Sequence, residues 1–177
     1  AEGLASVARE LEERLGSYNL TYFGLTPTED ALHMNRSFGP LCALINKVLG
    51  RRLFIRLGES YEQAIEDLGS GRALLSYQTP STYVEARERY GIEPLVVQLA
   101  KGEPFYKSAI VVRTDSGINS LAELRGKRFA FGDAKSTGSK AMPESMLREA
   151  GLDLRDLAAH GFVGSHDNVA KAVLQKN

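Results

Sequence analysis

The chain has 177 residues, 43% of them hydrophobic and 25% charged, with 22 basic side chains balancing 22 acidic ones. That length can bury a proper core as one domain or two small lobes, and the composition is that of an ordinary globular protein. Zero net charge speaks against a duplex nucleic-acid binder, and no apolar run approaches the ~18 residues of a membrane-spanning helix.

In chain order, residues 1–15 place Leu4, Val7, Leu11 and Leu15 on one helical face. Such a stripe fits a helix packed on the body, or a dimerising or connecting helix. Strand patterns then occur at "LTYFGL" (20–25), "RLFIRL" (52–57), "ALLSY" (73–77), "PLVVQL" (94–99), "KSAIVVR" (107–113), "KRFAFG" (127–132) and "HGFVG" (160–164). Helical patterns fall between most of them, so the chain predicts an α/β fold. "SFGPLCALINKVLG" closes on Gly50, and Gly91 and Gly151 suit two further helix ends. Ser60-Tyr61-Glu62-Gln63 and Ser120-Leu121-Ala122-Glu123 have the capping-box pattern. The single cysteine, Cys42, rules out an internal disulfide and a CxxC metal knuckle, and its apolar helical setting suits a small buried hydrophobe. A final helix, "NVAKAVLQKN", is followed by no strand. The chain starts at Ala1 without Met, so a signal or anchor is not readable from it.

Residues 132–147, "GDAKSTGSKAMPESML", follow a strand and open a helix. First-turn amides lack internal partners and the helix dipole is positive there, so this end suits an anion without needing net positive charge. Ser136, Thr137 and Ser139 add hydroxyls and Gly138 allows close approach, although the same residues also suit a plain N-cap. A Walker loop is absent. His166 follows the last strand at the start of a helix capped by Ser165 or Asp167, where α/β ligand sites gather. His33 and His160 stand alone, and the three histidines lack metal-ligand spacing, so neither a metal nor another cofactor is expected. Tyr61, Tyr83 and Tyr106 suit pocket walls that need an apolar body and one donor, and Gln78 stands in "QTPS" just ahead of Tyr83. Ser136, His166 and Asp167 supply the letters of a catalytic triad. There is no GxSxG elbow, however, and adjacent His-Asp side chains diverge, so catalysis is not expected.

Together, "FGLTP", "SYEQAIEDLGSGRA", "YQTPSTYVEA", "FYKSAIVVRTDSGINSLAELRGKRFAFGDAKSTGS", "GLDL" and "GSHDNVAKAV" resemble the phosphate/phosphonate-type substrate-binding proteins of bacterial ABC importers. The resemblance runs from about Tyr22 to Asn177. It implies a type II periplasmic-binding-protein-like fold of two α/β lobes with mixed sheets, closing on a small oxyanion without performing chemistry. The expected division is an N-terminal helix over 1–16, an incomplete first lobe over 17–94 and a second lobe over 95–177. On this resemblance the ligand residues are Tyr61, Tyr106, Ser136, Thr137, Gly138, Ser139 and His166, with Gln78 and Tyr83 beside them. Where the family usually reads Ser-Thr-Ser-Gly, this chain reads Ser-Thr-Gly-Ser. The family continues past this helix through a hinge crossover and acidic groups that meet an amine. The resemblance therefore implies a truncated piece in an extracytoplasmic setting, partnered by an ABC permease and not by nucleic acid. The alternative is a sensing or protein-interaction domain attached to a receptor signalling domain. That reading expects a homodimer through the first helix or through an exposed sheet edge.

Overall fold

A computed structural model of the protein describes residues 22–175. They divide into two compact units. One takes the described residues up to Gln78 together with Tyr83–Val97, and the other takes Thr79–Thr82 and the described residues from Gln98 onward.

The first unit is built as β1 (Tyr22–Leu25), α1 (Ala31–Leu49), β2 (Phe54–Leu57), α2 (Tyr61–Gly69), β3 (Ala73–Tyr77) and most of α3 (Pro80–Tyr90). Its three strands are parallel in the order β2-β1-β3, with Phe23 opposite Ile55 and Leu25 opposite Leu57 and Tyr77. The central strand β1 is buried on both faces, as a covered parallel strand must be, whereas β2 alternates exposed and half-buried positions. Gly24 permits the close pairing, because a Cβ there would lie 3.0 Å from that of Ala73. Phe23, Leu25, Met34, Cys42, Leu49 and Leu53 form the core, each fully buried aliphatic or aromatic side chain contributing about 1.5–3 kcal/mol. Cys42 is thus the small buried hydrophobe expected of it, and burial pushes its thiol pKa up.

Local chemistry sets the element ends. The Asp30 carboxylate accepts from the Leu32 and His33 amides at 2.9 and 3.0 Å and starts α1. Gly50, at φ 60°, ends it in the left-handed conformation that glycine adopts without penalty. Asn46 then clamps the turn into β2, accepting from Leu53 N–H at 2.6 Å and donating to Leu53 C=O at 3.1 Å. Ser60 caps α2 by accepting from Gln63 N–H at 3.1 Å. The return half of the expected capping box is replaced, since the Gln63 amide donates to Asp67 at 2.9 Å.

Asp67 is 2% exposed and accepts from Arg56 Nε at 2.6 Å and Arg72 Nε at 2.8 Å, so one carboxylate ties β2 and the approach to β3 to α2. Burial works against its ionisation. The hydrogen bonds from Arg56, Arg72 and Gln63 prevail and hold its pKa below the usual carboxylate value.

The second unit pairs β4 (Arg128–Phe131) with β5 (Ala159–Phe162) in parallel. The connection runs through a π-type turn (Thr137–Ala141), α4 (Met142–Glu149) and a 3₁₀ turn (Leu154–Asp156), and α5 (His166–Leu174) follows β5. Leu124, Phe131, Leu147, Leu152 and Leu157 make its core, with Ile110, Ile118 and Phe129 packed against them. Phe131 also meets Phe129 and Phe162 at ring separations of 4.7 and 5.7 Å.

Three expectations need correction. Ser120–Glu123 opens only a 3₁₀ turn (Leu121–Leu124), its carboxylate accepting from the Ser120 and Asn119 amides. The run 136–150 is interrupted by the π-type turn before α4 begins. The runs at 94–99 and 107–113 join no strand ladder among the described residues. Between them an isolated bridge pairs Ala100 with Glu103 around Lys101 and Gly102, both at positive φ. The second run still follows a period of two, with Ser108 and Ile110 half-buried on the second unit and Ala109 and Val111 exposed. Its pattern records a buried face correctly, but a ladder also requires a backbone partner, which the pattern does not specify. The helix expected over residues 1–15, and the dimer contact placed on it, lie outside the described residues.

Candidate functional site

The end of β4 delivers the chain to Gly132 and Asp133, and a compact turn follows. Asp133 accepts from the Lys135 amide at 2.8 Å through its carboxylate and from the Ser136 amide at 3.0 Å through its carbonyl. Ser136 is then 1% exposed, and its Oγ accepts from Ser139 N–H at 3.1 Å. It is therefore an N-cap, as the plain reading of these residues allows, and the cap uses a lone pair while leaving the O–H as a donor. The amides of Thr137 and Gly138 head the helical stretch, where internal acceptors are lacking and the dipole is positive. Ala141 N–H closes the wide turn onto Ser136 C=O at 3.1 Å.

Three of the expected site residues come together around Gly138. A Cβ added at Gly138 would lie 3.5 Å from Tyr106 Cε2, 3.9 Å from Tyr106 Oη and 3.8 Å from His166 Cε1. Tyr106 and His166 are both exposed and arrive from separate parts of the chain, Tyr106 from before the 107–113 run and His166 from the first residue of α5. Ser165, not Asp167, caps α5, its Oγ accepting from Asn168 N–H at 3.3 Å. Ser108 fixes the floor by donating to Gly138 C=O at 2.5 Å. The site is made of amides, hydroxyls, a phenol and an imidazole. Such neutral donors at a helix head suit an oxyanion.

The remaining expected residues are placed differently. The Thr137 hydroxyl accepts from Ser81 N–H and donates to Ser81 Oγ, both at 2.8 Å, so it is committed to the first turn of α3. The Ser139 Oγ is buried with no hydrogen-bond partner among the described residues, and it lies 2.2 Å from where a Cβ of Gly132 would be. Tyr61, Gln78 and Tyr83 belong to the first unit. Tyr61 is 1% exposed at the start of α2. The Gln78 amide donates to Ser76 Oγ at 2.8 Å and to Ala64 C=O at 3.4 Å. The Tyr83 Oη accepts from Arg87 at 2.8 Å. Ser81 and Ser108 were not singled out from the sequence, where a lone serine before an apolar run carries no distinguishing signal. Among the described residues no group of three or more His, Cys, Asp or Glu is arranged to hold a metal ion.

Comparison with known proteins agrees with this geometry. Residues 23–177 match the family described as the phosphonate periplasmic substrate-binding proteins of ABC transporters. The phosphate-import protein PhnD of Mycolicibacterium smegmatis is 28% identical over 158 residues, covering 83% of this chain and 49% of its own length. The chain thus spans about half of that relative. A crystal structure of a binding component of an ABC phosphonate transporter from Pseudomonas aeruginosa superposes with a TM-score of 0.77 at 20% identity, over 89% of this chain and 54% of that one. PhnD1 from Prochlorococcus marinus, in complex with methylphosphonate, gives a TM-score of 0.67 at 19% identity, over 87% and 59% of the two chains. At such identities these two likenesses establish the type II periplasmic-binding fold.

Proposed function

The chain belongs to the phosphonate periplasmic substrate-binding family of ABC transporters, and on that premise we propose that it binds a small phosphorus oxyanion outside the cytoplasm and presents it to an ABC permease. The observation that carries the reading is the meeting of Tyr106, Gly138 and His166 at the head of the helical stretch after β4. Phosphate, phosphite and alkylphosphonates share a tetrahedral group whose oxygens accept from several donors at once. The Thr137 and Gly138 amides, the Ser136 O–H, the Tyr106 phenol and the His166 imidazole supply such donors. Thr137 acts chiefly as a support, because its hydroxyl is already bonded to Ser81. Ser139 is proposed with it as a residue that shapes the turn. Tyr61, Gln78 and Tyr83 of the first unit are included as further contributors on the family resemblance.

Binding needs no bond to form or break, and the family is a substrate-binding component of a transporter. No helix among the described residues is long and apolar enough to cross a membrane. The relatives named above are import and binding components, and the motive for the sensing alternative, the helix at 1–15, lies outside the described residues. Calorimetric titration with phosphate, phosphite and methylphosphonate tests the reading. Tyr106→Phe and His166→Ala should each weaken binding about tenfold or more, the value of one hydrogen bond to a charged group. Titrations that stay flat with all three ions, or variants that bind as the parent does, would overturn it.

A further inference from the structure

We propose that Gly138 determines specificity: the space it leaves between Tyr106 and His166 receives the carbon substituent of an organophosphonate, so the site favours a short alkylphosphonate over inorganic phosphate. This rests on the oxyanion-binding reading and deepens it. The backbone does not require glycine at this position. Gly138 lies outside the left-handed region, unlike Gly126 and Gly151 on either side of it in sequence. Sterics do not require it either, since an added Cβ would meet its neighbours at 3.5–3.9 Å, which is ordinary van der Waals contact. The position therefore tolerates a side chain and has none.

A small opening remains, walled by the phenol ring and by Cε1 of the imidazole, with its floor held by the bond from Ser108 to the Gly138 carbonyl. Both walls present carbon to the space while their polar atoms stand beside it. Tyr106 Oη is 3.9 Å from the same point. A tetrahedral ligand with three oxygens and one carbon matches such a surface. The oxygens take the amides and hydroxyls, and the carbon takes the place of the absent side chain. Inorganic phosphate would instead put a fourth oxygen where no donor of residue 138 can reach it. The hydroxyl of the next residue does not fill this role, because Ser139 Oγ is turned against Gly132 at the end of β4.

The test uses calorimetry on the full-length protein with phosphate, methylphosphonate and ethylphosphonate. Gly138→Ala fills the opening without adding a donor, and Gly138→Ser fills it and adds one. The parent should prefer the alkylphosphonates to phosphate. Gly138→Ala should lose about tenfold in ethylphosphonate affinity, the usual value of one methylene-sized misfit in a pocket, and keep its phosphate affinity. Gly138→Ser should tighten phosphate while weakening ethylphosphonate. If all three proteins bind phosphate and the ratio of phosphate to alkylphosphonate affinity is the same in each, the inference is overturned and the oxyanion reading stands. If the parent binds none of the three ions, both fall together. Should either variant fail to fold by near-ultraviolet circular dichroism, the parent's own series decides. Phosphate bound more tightly than both alkylphosphonates would overturn the proposal.

Discussion

The side chains that shape this protein most are two polar groups placed where polar groups are costly. Asp67 is buried and ionised because three donors converge on it. Asp67→Asn keeps the shape but removes the charge, and should lower stability by about 2 kcal/mol in urea unfolding. The figure is below the 3–5 kcal/mol of a fully buried pair because both arginines are about half exposed. The same bonds depress the Asp67 pKa, so its contribution is fully present above the unfolded value near 3.8 and is lost as pH falls through the lower folded value. Acid unfolding of the parent should be steeper below pH ~4 than that of Asp67→Asn, and identical pH profiles would contradict this. Ser139 is the opposite case, a buried hydroxyl without a partner among the described residues. Ser139→Ala should raise stability by about 1 kcal/mol by removing an uncompensated desolvation cost. Neither residue's role was legible in the sequence. An acidic residue on a helix reads as solvated until the fold brings two arginines to it, and a serine in a hydroxyl-rich turn reads as one more donor.

At the scale of elements, the junction of β4 with the following turn fixes the candidate site. Gly132 and Ser139 share one space there, with a Cβ at Gly132 falling 2.2 Å from Ser139 Oγ, 3.0 Å from its Cβ and 3.3 Å from the Gly164 carbonyl. Gly132→Ala should therefore cost about 1–3 kcal/mol. Most of that loss should vanish in the Ser139→Gly background, where only the Gly164 carbonyl remains close, and a double-mutant cycle in urea measures the coupling. Additive losses would show that the two positions do not share the space. The strands at 22–25, 54–57, 73–77, 128–131 and 159–162 were readable because each carries an apolar run between helical segments. The π-type turn at Thr137–Ala141 was not readable, because helical periodicity continues through it. The runs at 94–99 and 107–113 carry the β-branched residues of strands, and Val96, Val97, Val111 and Val112 stay exposed with no ladder partner among the described residues.

At the scale of the molecule, the family and the fold could be inferred from motifs, while the arrangement of the site could not. "GDAKSTGS" and "GSHDN" mark the right places in the second unit, and Tyr106 and His166 do meet at Gly138. Which hydroxyls face an anion was hidden, since Ser136 caps the helix, Thr137 holds Ser81 and Ser139 turns onto β4. The hydroxyls suggested by the sequence serve largely to build the turn, and its amides, Tyr106 and His166 are the groups left for a ligand. The central claim is that this turn holds a phosphorus oxyanion. A crystal structure of the protein grown with methylphosphonate tests it most directly. The account predicts phosphonate oxygens on the Thr137 and Gly138 amides, within hydrogen-bond reach of Tyr106 Oη or His166, and the methyl group above Gly138. A phosphonate bound away from this turn, or a turn without ligand at saturating phosphonate, would contradict it.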